Sequence, residues 1–206
     1  MNALPPIPAA VILALLLGSG LLVLATALAV YRRGTTGSFA WMVVAGLSSC
    51  LLLLAAALQF REGDALRVAV VQLLMVTLAA LLGALCGRAP ETPPASAAGL
   101  PAAGRGLSWL TLLGLPPTVG FHAKLMLYHT LLATGWGGLV VLTMAASAAG
   151  LAPAVWALRS PPPAAVRGLS AALAVALMAL ALVLGLYPQP VLGLAGLLEK
   201  AVTASR

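Results

Sequence analysis

Apolar positions run continuously along this chain in blocks of about 20 residues, and the polar positions gather in short clusters between them. Blocks of that length match the roughly 20 helical residues that cross a hydrocarbon core of about 30 Å. Cutting the blocks at charges and at Pro/Gly clusters predicts six spans, at 7–30, 38–60, 66–87, 107–132, 135–158 and 168–187. Between them lie 31–37 with Arg32 and Arg33, 61–65 with mixed charges, 88–106 rich in Pro and Ala, and 159–167 with three consecutive prolines. The segment 188–206 follows Pro188 and Pro190, is too short to cross, and reads as an interfacial tail. The expected fold is all-α: a polytopic transmembrane bundle of about six helices in a single membrane domain, 1–206.

Composition sharpens this. Of 206 residues 62% are hydrophobic and only 7% charged, with a mean hydropathy of +1.10, values outside the soluble globular range. Aromatic residues are scarce at 5%, and the apolar mass is Leu, Ala and Val in helical runs rather than short alternating segments, which disfavours a transmembrane barrel. The net charge of +7 resides in single or paired basic residues between apolar runs, where they act as topogenic anchors. No nucleic-acid site follows from it; the expected surroundings are a lipid bilayer. Arg32, Arg33, Arg88, Arg105, Arg159 and Arg167 fall after spans one, three and five, against Arg61, Arg67, Lys200 and Arg206 on the other side. The positive-inside bias then expects both termini on the non-cytoplasmic side.

Cys50 and Cys86 lie in or at the end of apolar runs without metal-type spacing, and read as packing residues. Small residues four apart, Ala10, Ala14 and Gly18 in span one and Ala79, Gly83 and Gly87 in span three, permit close helix approach.

One span carries chemistry. Of 11 basic and 4 acidic residues, only Lys124 sits well inside an apolar run. A lysine at a helix centre costs about 2.5–3.5 kcal/mol on insertion scales, so it is a functional candidate, here a proton relay. The competing reading is snorkelling of its butyl stem toward the nearer interface. Pro116 and Pro117, after Gly114, remove two backbone donors and break the fourth span, unless they only start a helix at the interface. Irregular backbone at membrane depth survives where protein or water covers it. Phe121, Lys124 and Tyr128 share one helical face, while His122 and His129 share another. Tyr128, His122 and His129 are therefore possible relay neighbours, the histidines because their unperturbed pKa is near 6.5, or else helix-packing hydrogen bonders. The seven-residue histidine spacing lacks a third ligand, so no metal site is expected.

The run LTLLGLPPTVGFHAKLMLYHTLL, Leu110 to Leu132, resembles the broken, lysine-bearing helix of the antiporter-like membrane subunits of respiratory complex I, of the type found in subunit N of NADH-quinone oxidoreductase. The family pattern is close to SLxGxPPxxGFxGKxxxF. Gly114, Pro116, Pro117, Gly120, Phe121 and Lys124 match it, Ala123 replaces a glycine, and Tyr128 stands at the aromatic position. The two following spans also look like the helices that close such subunits. Since full members have about fourteen helices, the chain resembles their C-terminal portion. It lacks the early-helix glutamate, the KxxxxPFHxW-type broken helix and the central-helix lysine, which in the family form the input half and link of a proton path; Lys124 corresponds to the output end.

The resemblance implies a membrane-arm subunit of a proton-translocating NADH-quinone oxidoreductase in a bacterial inner membrane, with other membrane-arm subunits as partners. NADH, FMN, iron-sulfur clusters and quinone would belong to other subunits, and this chain, with no ligand set for iron-sulfur or haem, would do no redox chemistry. Two alternatives accompany it: a structural or assembly subunit without proton flux, and a subunit of a multisubunit sodium/proton antiporter or membrane-bound hydrogenase.

Overall fold

A computed structural model of the chain describes residues 8–32, 35–60, 63–86, 99–160, 169–190, 193 and 196–197. Among them are eight helices: α1 Ala9–Tyr31, α2 Thr35–Phe60, α3 Gly63–Cys86, α4 Gly99–Leu113, α5 Val119–Ala133, α6 Gly137–Ala149, α7 Leu151–Arg159 and α8 Leu169–Leu186. Helices α1, α2 and α3 are long and apolar enough to cross a membrane, as is the run Gly137–Arg159 that α6 and α7 form across Gly150. Helices α4 and α5 are the two halves of the span interrupted at Pro116 and Pro117, and α8 is a shorter apolar helix. The all-α bundle with a broken fourth element is the architecture expected from the apolar blocks.

Helix α3 lies at the centre, packed against α2, α4, α5 and α8. Without a hydrophobic driving force between helices in lipid, close approach over small residues does the packing. A Cβ on Gly18 would stand 2.8 Å from Leu52, and one on Gly46 2.8 Å from Val76, so glycines hold α1 to α2 and α2 to α3. Gly83 receives the ring of Phe39, which meets Trp109 edge-on at 5.4 Å. Of the predicted small-residue stripe in α1, Gly18 is buried while Ala10 is exposed; Gly87 lies outside the described residues. Both cysteines are free and buried, Cys86 against Gly104 of α4.

The buried hydroxyls bond to carbonyls of their own helices: Thr26 to Leu22, Ser48 and Ser49 to Ala45, Thr111 to Leu107 and Thr143 to Leu139. This satisfies polar groups where water is excluded. Outside, Leu16, Val141 and Leu186 are largely exposed, an apolar surface suited to hydrocarbon.

The structure corrects the reading of 88–106 as a connection. Helix α4 begins at Gly99, eight residues before the predicted span. The Pro/Ala composition looked loop-like, yet Ala is the strongest helix former and Pro101 sits in the first turn, where its missing N–H is not needed. Arg105, counted among loop arginines, is consequently a buried helical residue that donates from Nη2 to the Ser160 carbonyl at 2.9 Å. Residues 87–98 and 161–168 lie outside the described residues, as does most of the proposed tail 188–206.

Candidate functional site

The site begins where α4 stops. Gly114 adopts φ +74°, a conformation that costs other L-residues about 1–2 kcal/mol, and turns the chain out of the helix. Leu115 to Thr118 complete the turn, with a cis bond between Pro116 and Pro117, and Thr118 precedes α5 in extended backbone. The Thr118 hydroxyl donates back to the Leu115 carbonyl at 2.8 Å. Helix α5 then starts beside the last turn of α4: a Cβ on Gly120 would fall 1.9 Å from the Thr111 carbonyl oxygen. Two helix ends overlap side by side, and only glycine permits that approach.

Helix α8 covers the break. A Cβ on Gly185 would stand 2.0 Å from the Pro117 carbonyl oxygen, so backbone lies on backbone there. His122 reaches across from α5 and donates from Nε2 to the Gly185 carbonyl at 2.7 Å, with its ring edge-on to Phe121 at 5.7 Å. Irregular backbone at membrane depth is thus enclosed by protein.

Lys124 projects from the following turn of α5. Its side chain is 8% exposed, and Nζ donates to the Ser147 hydroxyl of α6 at 3.0 Å. Ser147 in turn donates to the Thr143 carbonyl at 2.9 Å, and the Tyr128 hydroxyl lies close to Ser147. The Cys50 thiol of α2 lies within electrostatic reach of the amine. Gly114 makes room for the lysine stem, since a Cβ there would be 2.3 Å from Lys124 Cγ.

Ser147 stands ten residues from one end of the run Gly137–Arg159 and twelve from the other, about 15 and 18 Å at 1.5 Å per residue. An amine bonded there sits near the middle of the run Gly137–Arg159.

The structure therefore brings Lys124 and Tyr128 together around Ser147. It sets His122 on another side of α5, engaged with α8, and leaves His129 exposed. Ser147 escaped the sequence reading, which took Cys50 for a packing residue. A serine in an apolar span is a weak signal, and nothing local reveals that α6 and α2 converge on α5. No cluster of three or more His, Cys, Asp or Glu suited to a metal ion occurs among the described residues.

Comparison with family models and with curated proteins finds no match. Among solved structures, a chain from the structure of the Mrp complex from Dietzia sp. DQ12-45-1b superposes with a TM-score of 0.75 at 20% sequence identity. The alignment covers 90% of this chain and 46% of that one, so the present chain spans about half the length of the protein it matches. Together with the apolar helices, this likeness establishes the fold of an integral membrane protein, one shared with a chain of a larger complex.

Proposed function

We propose that this chain is an antiporter-like membrane subunit of a proton-translocating assembly, in which Lys124 takes up and releases a proton as charges around it change. The observation that carries the proposal is the buried amine of Lys124 bonded to Ser147 near the middle of the apolar run Gly137–Arg159, beside a helix break that other helices enclose. Low hydration makes such a group responsive. A unit charge arriving about 8 Å away, at an effective dielectric of about 20, changes its energy by about 2 kcal/mol, enough to move a proton on or off.

The assembly we favour is a complex I-like NADH-quinone oxidoreductase in a bacterial inner membrane, because the run from Gly114 to Lys124 resembles its antiporter-like subunits. Other membrane-arm subunits would be the partners, both termini would lie on the non-cytoplasmic side, and the redox cofactors would belong to those other chains. His122, Tyr128 and His129 enter the proposal unequally: Tyr128 lies close to Ser147, the partner of the lysine, whereas His122 holds α8 and His129 faces outward.

A second reading, a subunit of a multisubunit sodium/proton antiporter, is favoured by the fold likeness to a chain of the Mrp complex. Native separation of solubilised membranes, with mass spectrometry of the band holding this chain, decides between the two. Quinone-reductase core subunits in that band support the first, and cation/proton antiporter subunits alone support the second. Proton flux in sealed vesicles tests the shared element: Lys124→Ala is expected to abolish it, and normal flux in that variant reduces the chain to a scaffold.

A further inference from the structure

Gln72 of α3 stands out from the other polar residues of the bundle. Its side chain is fully buried, and neither its amide oxygen nor its amide nitrogen has a hydrogen-bond partner among the described residues. The buried hydroxyls satisfy themselves on their own helices, but the longer glutamine amide has found neither backbone nor side chain. An amide left without a partner in an apolar interior costs about 1–3 kcal/mol. At 0% exposure no neighbouring subunit or lipid headgroup can reach it.

Helix register places this amide at the level of the lysine. Gly46 of α2 abuts Val76 of α3. These helices run antiparallel, so one turn onward in α2 is Cys50 and one turn back in α3 is Gln72. Cys50 is the thiol that lies within electrostatic reach of Lys124. The neighbouring turns agree with this register, for Leu53, Val68 and Ala69 share one buried cluster with Leu127 and Leu131 of α5. Gln72 therefore lies between the turn of α3 that meets Leu127 and the turn carrying Met75 and Val76. Counted from the helix ends at the Gly135 side, Gln72 and Lys124 are each nine residues deep, and Cys50 and Ser147 ten, about 14 to 15 Å for all four. The lysine ammonium offers three donors, of which Ser147 takes one.

We propose that the seam between α2, α3 and α5 is an internal water site, in which the Gln72 amide holds water against the Lys124 amine and so positions the medium for proton exchange. Buried waters typically make about three hydrogen bonds to polar groups that lack protein partners, which is what these two side chains supply. The step needs one further reactant, a base such as a carboxylate or an imidazole further along the path, which accepts the proton. The ammonium gives one proton to the bound water, the water passes one of its own hydrogens onward, and the lysine is left neutral with the water restored. Gln72 itself gains and loses no proton. This inference rests on Lys124 acting as the relay.

The experiment uses the native assembly in sealed vesicles. Gln72→Leu keeps the volume and removes the amide; it is expected to slow proton flux about tenfold or more while the assembly stays intact, and Gln72→Glu, which keeps a polar end, to retain flux. A bystander amide would behave oppositely, because Leu would relieve an unsatisfied group and give parental flux with higher stability, and that result overturns the proposal. A labelling measurement reads the water directly. In a background carrying Cys50→Ala and Cys86→Ala, deuterium from the buffer should replace the thiol hydrogen of the Gln72→Cys variant, read as the S–H to S–D infrared shift, but not that of a Val76→Cys variant one turn away. Failure to label Gln72→Cys also overturns the site, and the labelling decides the matter if Gln72→Leu does not assemble. Parental flux in Lys124→Ala would refute the relay, whereas the labelling would still report the water site.

Discussion

Gly114→Ala tests whether the turn before the prolines exists to make room for the lysine. Two penalties act on the alanine. Its φ of +74° carries about 1–2 kcal/mol for a residue with a Cβ. The Cβ also meets Lys124 Cγ at 2.3 Å, Lys124 Cβ at 3.0 Å and the Gly120 carbonyl at 3.1 Å, an overpacking worth about 1–3 kcal/mol. Gly135 separates the two, because it has φ +78° with no atom within 4 Å of an added Cβ, so Gly135→Ala carries the conformational cost alone. Denaturation in mixed micelles should place Gly114→Ala about 2–5 kcal/mol below the parent and Gly135→Ala about 1–2 kcal/mol below it. Proton flux should fall in the first variant, as the stem is pushed off Ser147, and hold in the second. A double-mutant cycle isolates the contact, since Lys124→Ala removes Cγ and should reduce the cost of Gly114→Ala by about 1–3 kcal/mol. Equal costs for Gly114→Ala with and without the lysine would refute the claim that this glycine accommodates its stem.

Ser147→Ala deprives a buried amine of its hydroxyl partner and should lower stability by about 1.5–3 kcal/mol with reduced flux, while Ser147→Thr keeps the hydroxyl and most of both; the same micelle denaturation and vesicle assays measure this. Gly185→Ala drives a Cβ to 2.0 Å from the Pro117 carbonyl, where neither backbone can give way, and is expected to cost about 3 kcal/mol or more and to release α8, seen as faster amide exchange in 169–186. Gly20→Ala, with nothing near its Cβ, should instead be neutral or stabilise by up to about 1 kcal/mol. Arg105→Leu removes the bond to the Ser160 carbonyl and should cost about 1–3 kcal/mol, with exchange quickened at the end of α7.

The broken span performs two structural tasks at one place. Pro116 and Pro117 stop α4, and Gly120 and Gly185 then let α5 and α8 lie against the interruption backbone to backbone. Each glycine marks a contact in which even a methyl group would collide with a carbonyl. That enclosure fixes the first turns of α5, and through them the direction in which Lys124 leaves the helix.

Much of this was decided by the chain itself. Apolar blocks of membrane-spanning length dictate helices, because a backbone in hydrocarbon must satisfy its own hydrogen bonds. The interruption at Pro116 and Pro117 and the isolation of Lys124 are likewise local, since a missing N–H and a charge in an apolar run do not depend on what surrounds them. Where local composition was ambiguous the reading failed, as at Gly99–Gly106, whose Ala, Gly and Pro suit a connection as well as a helix. Packing against α3 decides for the helix there, with Gly104 seated on Cys86. The site was legible only in part for the same reason. The 3.6-residue period puts Tyr128 on the face of Lys124, but the convergence of Ser147 and Cys50 on that amine, the departure of His122 toward Gly185 and the level of Gln72 depend on how distant helices align. Alignment is set by interlocking small and large side chains across the whole bundle, and no single span contains that information.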